Sequence, residues 1–275
     1  MTEQDRAYVE RIEAWRRKME ESLRADDGWL TVAGLFWLSE GANSVGADPA
    51  SDIVLPPGSA PDHVGSFDFH SGQTTLRVTG DAPVTVNGAP AITATLRSDP
   101  EGKPDLVAIG DLTMLVIHRG QRWAIRLRDK QSQARRTFSG RRWFPIHESY
   151  CLTASFVPYD PPKPMPITNI LGDTEQAASP GYVAFTLDGQ EYRLDASPDP
   201  EPGLFLTFRD LTAGGSTYPA GRYLRTAAPQ SGVVTIDFNQ AYNPPCAFTA
   251  FATCNLPPPQ NHLPLAIEAG ELTYH

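Results

Sequence analysis

Cysteine is scarce, with three residues, Cys151, Cys246 and Cys254, in a chain of 275. An odd count spread this widely excludes a disulfide framework and leaves open a single Cys246–Cys254 bridge. Long apolar runs are missing as well. The first twenty residues mix charges of both signs and hold no apolar core of the ~7–15 residues that a signal peptide needs. Nowhere do about 18 uncharged apolar residues follow one another, as a membrane-spanning helix requires. The expectation is a soluble, cytoplasmic protein with no membrane partner. Positive charge is in deficit too, 23 Lys and Arg against 32 Asp and Glu, a net −9. That is the wrong sign for a protein whose main partner is a phosphate backbone, and nucleic acid drops out. There is no Gly-x-Ser-x-Gly elbow, phosphate-binding loop or dinucleotide fingerprint.

Proline is what the chain has in excess, 26 residues, about twice the ordinary usage of ~5%. Because an internal proline breaks a helix, the chain reads as strands and loops. One helix is nevertheless clear. Tyr8, Ile12, Trp15, Met19 and Leu23 recur at helical spacing among charged residues, giving one apolar stripe that packs on the body of the protein. The apolar stretch 29–38 is a core segment, and from residue 43 to about 129 short β-rich runs alternate with turns. Asn87-Gly88 and the Arg119–Arg122 segment each mark a hairpin. Five prolines at 158–166 read as a stiff passage between lobes. Beyond it, Asp188-Gly189 joins two strands, and further strands fall at 204–208 and 233–238. The expected architecture is mainly β: a helix over 1–28, a β-sandwich lobe over 29–157 and a second β-rich lobe over 158–275.

Three constellations could carry chemistry. Between His118 and Arg142 stand nine Lys or Arg residues and one acid, so Arg126 and Arg128, two apart on one strand face, could help to grip a phosphate or carboxylate. They could equally pair with the chain's own acids. The second is the glycine-rich stretch 209–222, with Asp210, Thr212, Thr217 and Arg222, shaped either for close approach by a ligand or for an ordinary Asp- and Gly-rich turn. In the third, 233–239 alternates strictly. Val234, Ile236 and Phe238 share one face, and Thr235, Asp237 and Asn239 the other. With Tyr242 and Asn243 in the loop beyond, Asp237 and Asn239 could line a cleft or could tie an irregular loop to the sheet.

No metal or cofactor is expected. Cys246, Cys254 and His262 lie eight apart, with His275 last, whereas zinc ligands pair at two to four residues. Residues 147–151 depart from the zinc-protease pattern because Cys151 stands where its second histidine would be. Glu268 and Glu271 form a carboxylate pair read as surface residues.

The stretches 29–38, 237–248 and 252–258, together with Thr217-Tyr218, Gly221-Arg222 and Ala269-Gly270-Glu271, resemble the bacterial family known as domain of unknown function 1684. Asn255 replaces a usual proline and His262 a usual arginine, the latter offering the family no metal ligand. The resemblance supplies no activity. Within 29–157, the runs 44–46, 51–55 and 84–88 are similar to the forkhead-associated sandwich, which implies phosphothreonine recognition. Here Ala47 replaces the phosphate-gripping arginine and Ser59-Ala60-Pro61-Asp62-His63 replaces the Ser-Arg-x-x-His turn. The resemblance therefore extends to the fold and not to the activity.

Two functions follow as expectations. One is binding of a small anionic molecule in a polar cleft, with metal-independent hydrolysis as its enzymatic form. Asp237 would act as base or orienter, Tyr242 and Asn239 as hydrogen-bonding groups, Arg222 with Arg126 or Arg128 as the anion clamp, and Asp210, Thr212, Thr217 and Asn243 as further ligand contacts. The alternative is a noncatalytic module that holds an acidic protein partner through the sandwich lobe and the arginines at 135 and 136.

Overall fold

The N-terminal stripe forms the helix Glu3–Arg24, which buries Tyr8, Ile12 and Leu23. The computed structural model describes residues 2–198 and 201–274. Residues 24–138 make one unit, and residues up to 23 join those from 139 onward in a second. Among the described residues no helix is long and apolar enough to cross a membrane.

The 24–138 unit is a β-sandwich. Its first sheet runs in the order Val32–Trp37, Arg122–Asp129, Leu112–Arg119, Val107–Ile109, Thr85–Val86, Ala89–Pro90. Its second runs Ile53–Val54, Gly41–Gly46, Gly65–His70, Gln73–Val78, Thr93–Leu96. Inward residues of both sheets, among them Phe67, Leu76, Met114, Ile125 and Leu127, share one core. Burying each such side chain stabilises by about 1.5–3 kcal/mol. The Asn87-Gly88 turn has both residues at positive φ, 52° and 82°, the backbone that a two-residue hairpin of matching twist demands.

In the second unit, strands Gln190–Asp195, Thr174–Leu187, Cys151–Thr168 and Val233–Asp237 form an antiparallel sheet, accompanied by the ribbon Leu204–Phe208 with Arg222–Thr226. Val183, Phe185, Leu206, Phe208, Leu224, Ile236 and Phe238 fill its core. The stretch 158–166, read from the sequence as a passage between lobes, lies within the strand Cys151–Thr168, and the division of the chain falls earlier, after Phe138. The prolines fit there for a physical reason. Only Cys151 to Ser155 pair with Val233–Asp237, so one edge beyond them needs no N–H donors, and the pairing with Thr174–Leu187 shifts register between Pro158 and Lys163.

Candidate functional site

Strand Val233–Asp237 buries Val234 and Ile236 in the core, so Thr235 and Asp237 turn to the opposite face. Register sets Cys151 directly across from Asp237. At the strand's end Asp237 caps the single turn Phe238–Gln240, its Oδ1 accepting the Asn239 N–H at 3.0 Å.

The helix supplies the next layer. The Tyr8 hydroxyl donates to Asp237 Oδ1 and Oδ2 at 3.0 and 2.9 Å and accepts from Asn239 Nδ2 at 2.9 Å. The same Nδ2 donates to the His147 carbonyl at 2.8 Å and meets Asp237 Oδ1 at 3.0 Å, while Asn239 Oδ1 accepts the His147 N–H at 3.0 Å. Burial, followed by the Asp237 charge, holds the Tyr8 phenol well above its usual value. Burial, again with Asp237, also pushes the Cys151 thiol up.

A cleft of about 310 Å³ opens on this cluster. Arg11, Cys151, Arg225, Thr226, Thr235, Asp237 and Gln240 line it. A neighbouring cleft of about 620 Å³, lined by Thr2, Asp5, Tyr8, Arg11 and Glu148, also reaches Cys151. Arg11 lies over the Tyr8 ring, 5.1 Å from its centre, and Arg225 over Phe205 at 4.9 Å. Stacking on an aromatic face steadies a guanidinium. Two arginines from separate elements, two hydroxyls and an amide make a donor-rich wall, and the one carboxylate of the smaller cleft is tied to Tyr8 and Asn239.

The remaining candidates fall elsewhere. Arg222 is fully buried, paired with Asp210 at 3.3 Å and donating to the carbonyls of Ile267, at 3.0 Å, and Ala269. That position corrects its reading as an anion clamp, because a guanidinium enclosed this way presents no edge to a ligand. Asp210 accepts from Thr212 Oγ1 at 2.9 Å and from the Ile267 N–H at 2.7 Å, and the hydroxyls of Thr212 and Thr217 meet at 2.8 Å. The glycine-rich stretch is thus organised around its own carboxylate, although Gly214, Gly215, Thr217 and Tyr218 also line a cleft of about 250 Å³. Tyr242 lies between Trp15, tilted at 60° with centroids 6.4 Å apart, and Tyr223, edge-on at 5.9 Å, and is not among the residues of the Asp237 cleft.

Asn243 donates its N–H to Glu271 Oε2 at 2.8 Å and its amide to the Leu272 carbonyl at 2.8 Å. Glu271, read from the sequence as a surface residue, is 1% exposed and paired with Arg141 at 2.6 Å. Burial pushes its carboxyl up to about 7, with Arg141 and the Asn243 amide pulling the other way.

Arg126 and Arg128 belong to the 24–138 unit. Arg126 is 5% exposed and lies over the Trp29 ring, and Arg128 is half-buried. Several arginines of the basic segment meet the chain's own acids: Arg119 with Asp99, Arg135 with Asp26, Arg141 with Glu271. Among the described residues no three His, Cys, Asp or Glu gather as a metal site, and His275 lies outside the described residues. All three cysteines are free thiols.

Sequence reasoning missed Tyr8, Arg11, Cys151 and Arg225 as members of the site. Tyr8 was legible as an apolar-stripe residue, but its hydroxyl reaches a partner 229 residues away. For Cys151 the usable signal was register, which places it across from Asp237 only once the two strands are paired.

Residues 136–272 match the family model described as a protein of unknown function, DUF1684. The chain belongs to the DUF1684 family. The match covers the second unit from residue 139 to 272 and leaves out 29–38, where the sequence also suggested a likeness, together with the helix that carries Tyr8 and Arg11. A solved relative is an uncharacterised protein of Haloarcula marismortui, determined in solution by NMR. It is 32% identical, with 50% of this chain and 79% of that one covered at a TM-score of 0.43. No curated protein matches the chain.

Several DUF1684 motif residues hold the fold around the site. Gly270 has φ +81°, and a Cβ there would stand 2.6 Å from the Ala241 carbonyl oxygen and 2.7 Å from that of Phe238, so only glycine fits. Arg222 closes the buried pair with Asp210. Asp237 and Asn239 of the motif join the polar network at the cleft directly, and Gln240 lines the cleft beside them.

Proposed function

We propose that the second unit binds a small carboxylate or phosphate in the cleft beneath the first turns of the helix, with Arg11 and Arg225 as its clamp. What supports this reading is that these two arginines line one cleft with Thr226, Thr235 and Gln240. Bidentate donors carried on different elements fix the orientation of an anion as well as its charge. Asp237, oriented by Tyr8 and Asn239, is the group placed to accept a proton from a water or hydroxyl beside the bound anion, which is the hydrolytic form of the same reading. Cys151 and Thr235 shape the floor. The alternative of an acidic protein partner gains less support, since Arg135 already pairs with Asp26.

The test is thermal unfolding against a panel of mono- and dicarboxylates and phosphate esters, with Arg11→Ala and Arg225→Ala alongside. A ligand at 100 times its Kd stabilises by about 2.7 kcal/mol, or roughly 2–4 °C for each kcal/mol in a chain near this size. The expected result is a rise in the wild type that both variants lose. A rise of equal size in both variants places the anion elsewhere, and no rise with any member of the panel refutes the proposal.

A further inference from the structure

In the same unit's motif, Cys246 and Cys254 come together. The Cys246 N–H donates to Cys254 Sγ at 3.2 Å, which sets the two cysteines side by side. Both backbones are anchored. Cys246 sits in the turn Pro245–Ala247, with its carbonyl accepting from the Tyr218 hydroxyl at 2.9 Å. The Cys254 carbonyl accepts the Ile170 N–H at 2.8 Å, and the next carbonyl, of Asn255, accepts from Tyr223 at 2.8 Å.

The pair is asymmetric. Cys254 is buried and Cys246 is partly exposed, beside Tyr218 and Ala247, which line the cleft of the glycine-rich stretch. Hydrogen bonds from Cys254 and Tyr218 bring the Cys246 thiol down to about 7, against its burial, while its bond to Cys246 and its burial push Cys254 up. A partly exposed cysteine with a buried one beside it is the arrangement of an attacking and a resolving cysteine.

We propose that Cys246 and Cys254 form a reversible dithiol–disulfide site, in which Cys246 attacks a low-molecular-weight disulfide and Cys254 resolves the product. Written out, the Cys246 thiolate attacks one sulfur of the small disulfide, forming a mixed disulfide and expelling one small thiolate. Cys254 then gives up its proton and attacks Cys246 Sγ, closing the protein disulfide and expelling the second. The protein loses two electrons and two protons, and the small disulfide gains them as two thiols. The closed pair spans residues 246–254 of the DUF1684 motif, between the turn that carries Pro245 and the carbonyl that Tyr223 holds.

The experiment equilibrates the full-length protein with oxidised glutathione and maps each cysteine by peptide mass spectrometry. In the wild type the expected product is a Cys246–Cys254 disulfide, with Cys151 still a free thiol. Cys254→Ser is expected to stop with one glutathionyl group on Cys246, and Cys246→Ser to take up none at the pair. A mixed disulfide that persists on Cys246 in the wild type, or both thiols recovered unreacted, overturns the proposal. A second measurement needs no variant: the rate of iodoacetamide addition to Cys246 against pH. The midpoint is expected near 7, and one near 9, the ordinary value for a thiol, overturns the assignment of Cys246 as the attacking group.

Discussion

Tyr8→Phe removes one hydroxyl and nothing else from the candidate site. That hydroxyl donates to both oxygens of Asp237 and accepts from Asn239 Nδ2, all within 3.0 Å. After the substitution Asp237 keeps the Asn239 N–H and amide, and Asn239 keeps the His147 carbonyl. The loss is therefore one hydrogen bond to a charged acceptor, about 1.5–3 kcal/mol. For a chain near this size that lowers Tm by roughly 3–12 °C. Urea unfolding with intrinsic tryptophan emission reads it, and a cycle with Asp237→Ala isolates the pair: in that background Tyr8→Phe is expected to cost far less. The pH dependence carries the same signature. Because the folded phenol titrates above its unfolded value of 10.0, the native state holds the proton longer, and its contribution, full below pH 10, is lost as pH rises through the folded value. Tyr8→Phe is expected to flatten that alkaline limb. A loss under about 0.5 kcal/mol, the scale of an ordinary surface substitution, or one unchanged by Asp237→Ala, refutes the coupling of helix and strand through this hydroxyl.

Three further outcomes follow from the surrounding architecture. Arg222→Met leaves Asp210 buried without its cation and is expected to cost about 3–5 kcal/mol in urea unfolding, with much of it recovered by adding Asp210→Asn. Gly270→Ala puts a Cβ against two carbonyl oxygens at positive φ and is expected to lose at least about 2 kcal/mol from backbone strain and overpacking. Glu271 titrates near 7 against 4.5 unfolded, so its contribution is full below pH 4.5 and falls as pH rises through 7. The drop is on the order of 3 kcal/mol at ~1.4 per pH unit, and unfolding measured from pH 4 to 8 is expected to lose this slope in Glu271→Gln.

Much of the fold was legible because hairpins announce themselves locally. Asn87-Gly88 and Asp188-Gly189 adopt the positive-φ turns that their residue types favour, and the 233–239 alternation separates core from polar face as its period requires. The proline stretch was not legible. Whether prolines break or decorate a strand depends on which edge is paired, and that pairing is set by Val233–Asp237 some seventy residues later. The site was half legible for the same reason. Asp237 and Asn239 declare themselves by alternation, but whether Arg222 faces solvent or a buried Asp210 is decided by tertiary packing. Arg11 looked like any charged residue on the polar side of an amphipathic helix.

The central claim is an anion held over Cys151 by Arg11 and Arg225, and the most direct measurement is the rate of Cys151 alkylation with and without inorganic phosphate or succinate. Cys151 lines both clefts, so a bound anion shields its thiol. The account predicts slower modification of Cys151 as either anion is raised, with no slowing in the Arg11→Ala/Arg225→Ala double variant. A Cys151 rate that neither anion changes in the wild type contradicts it.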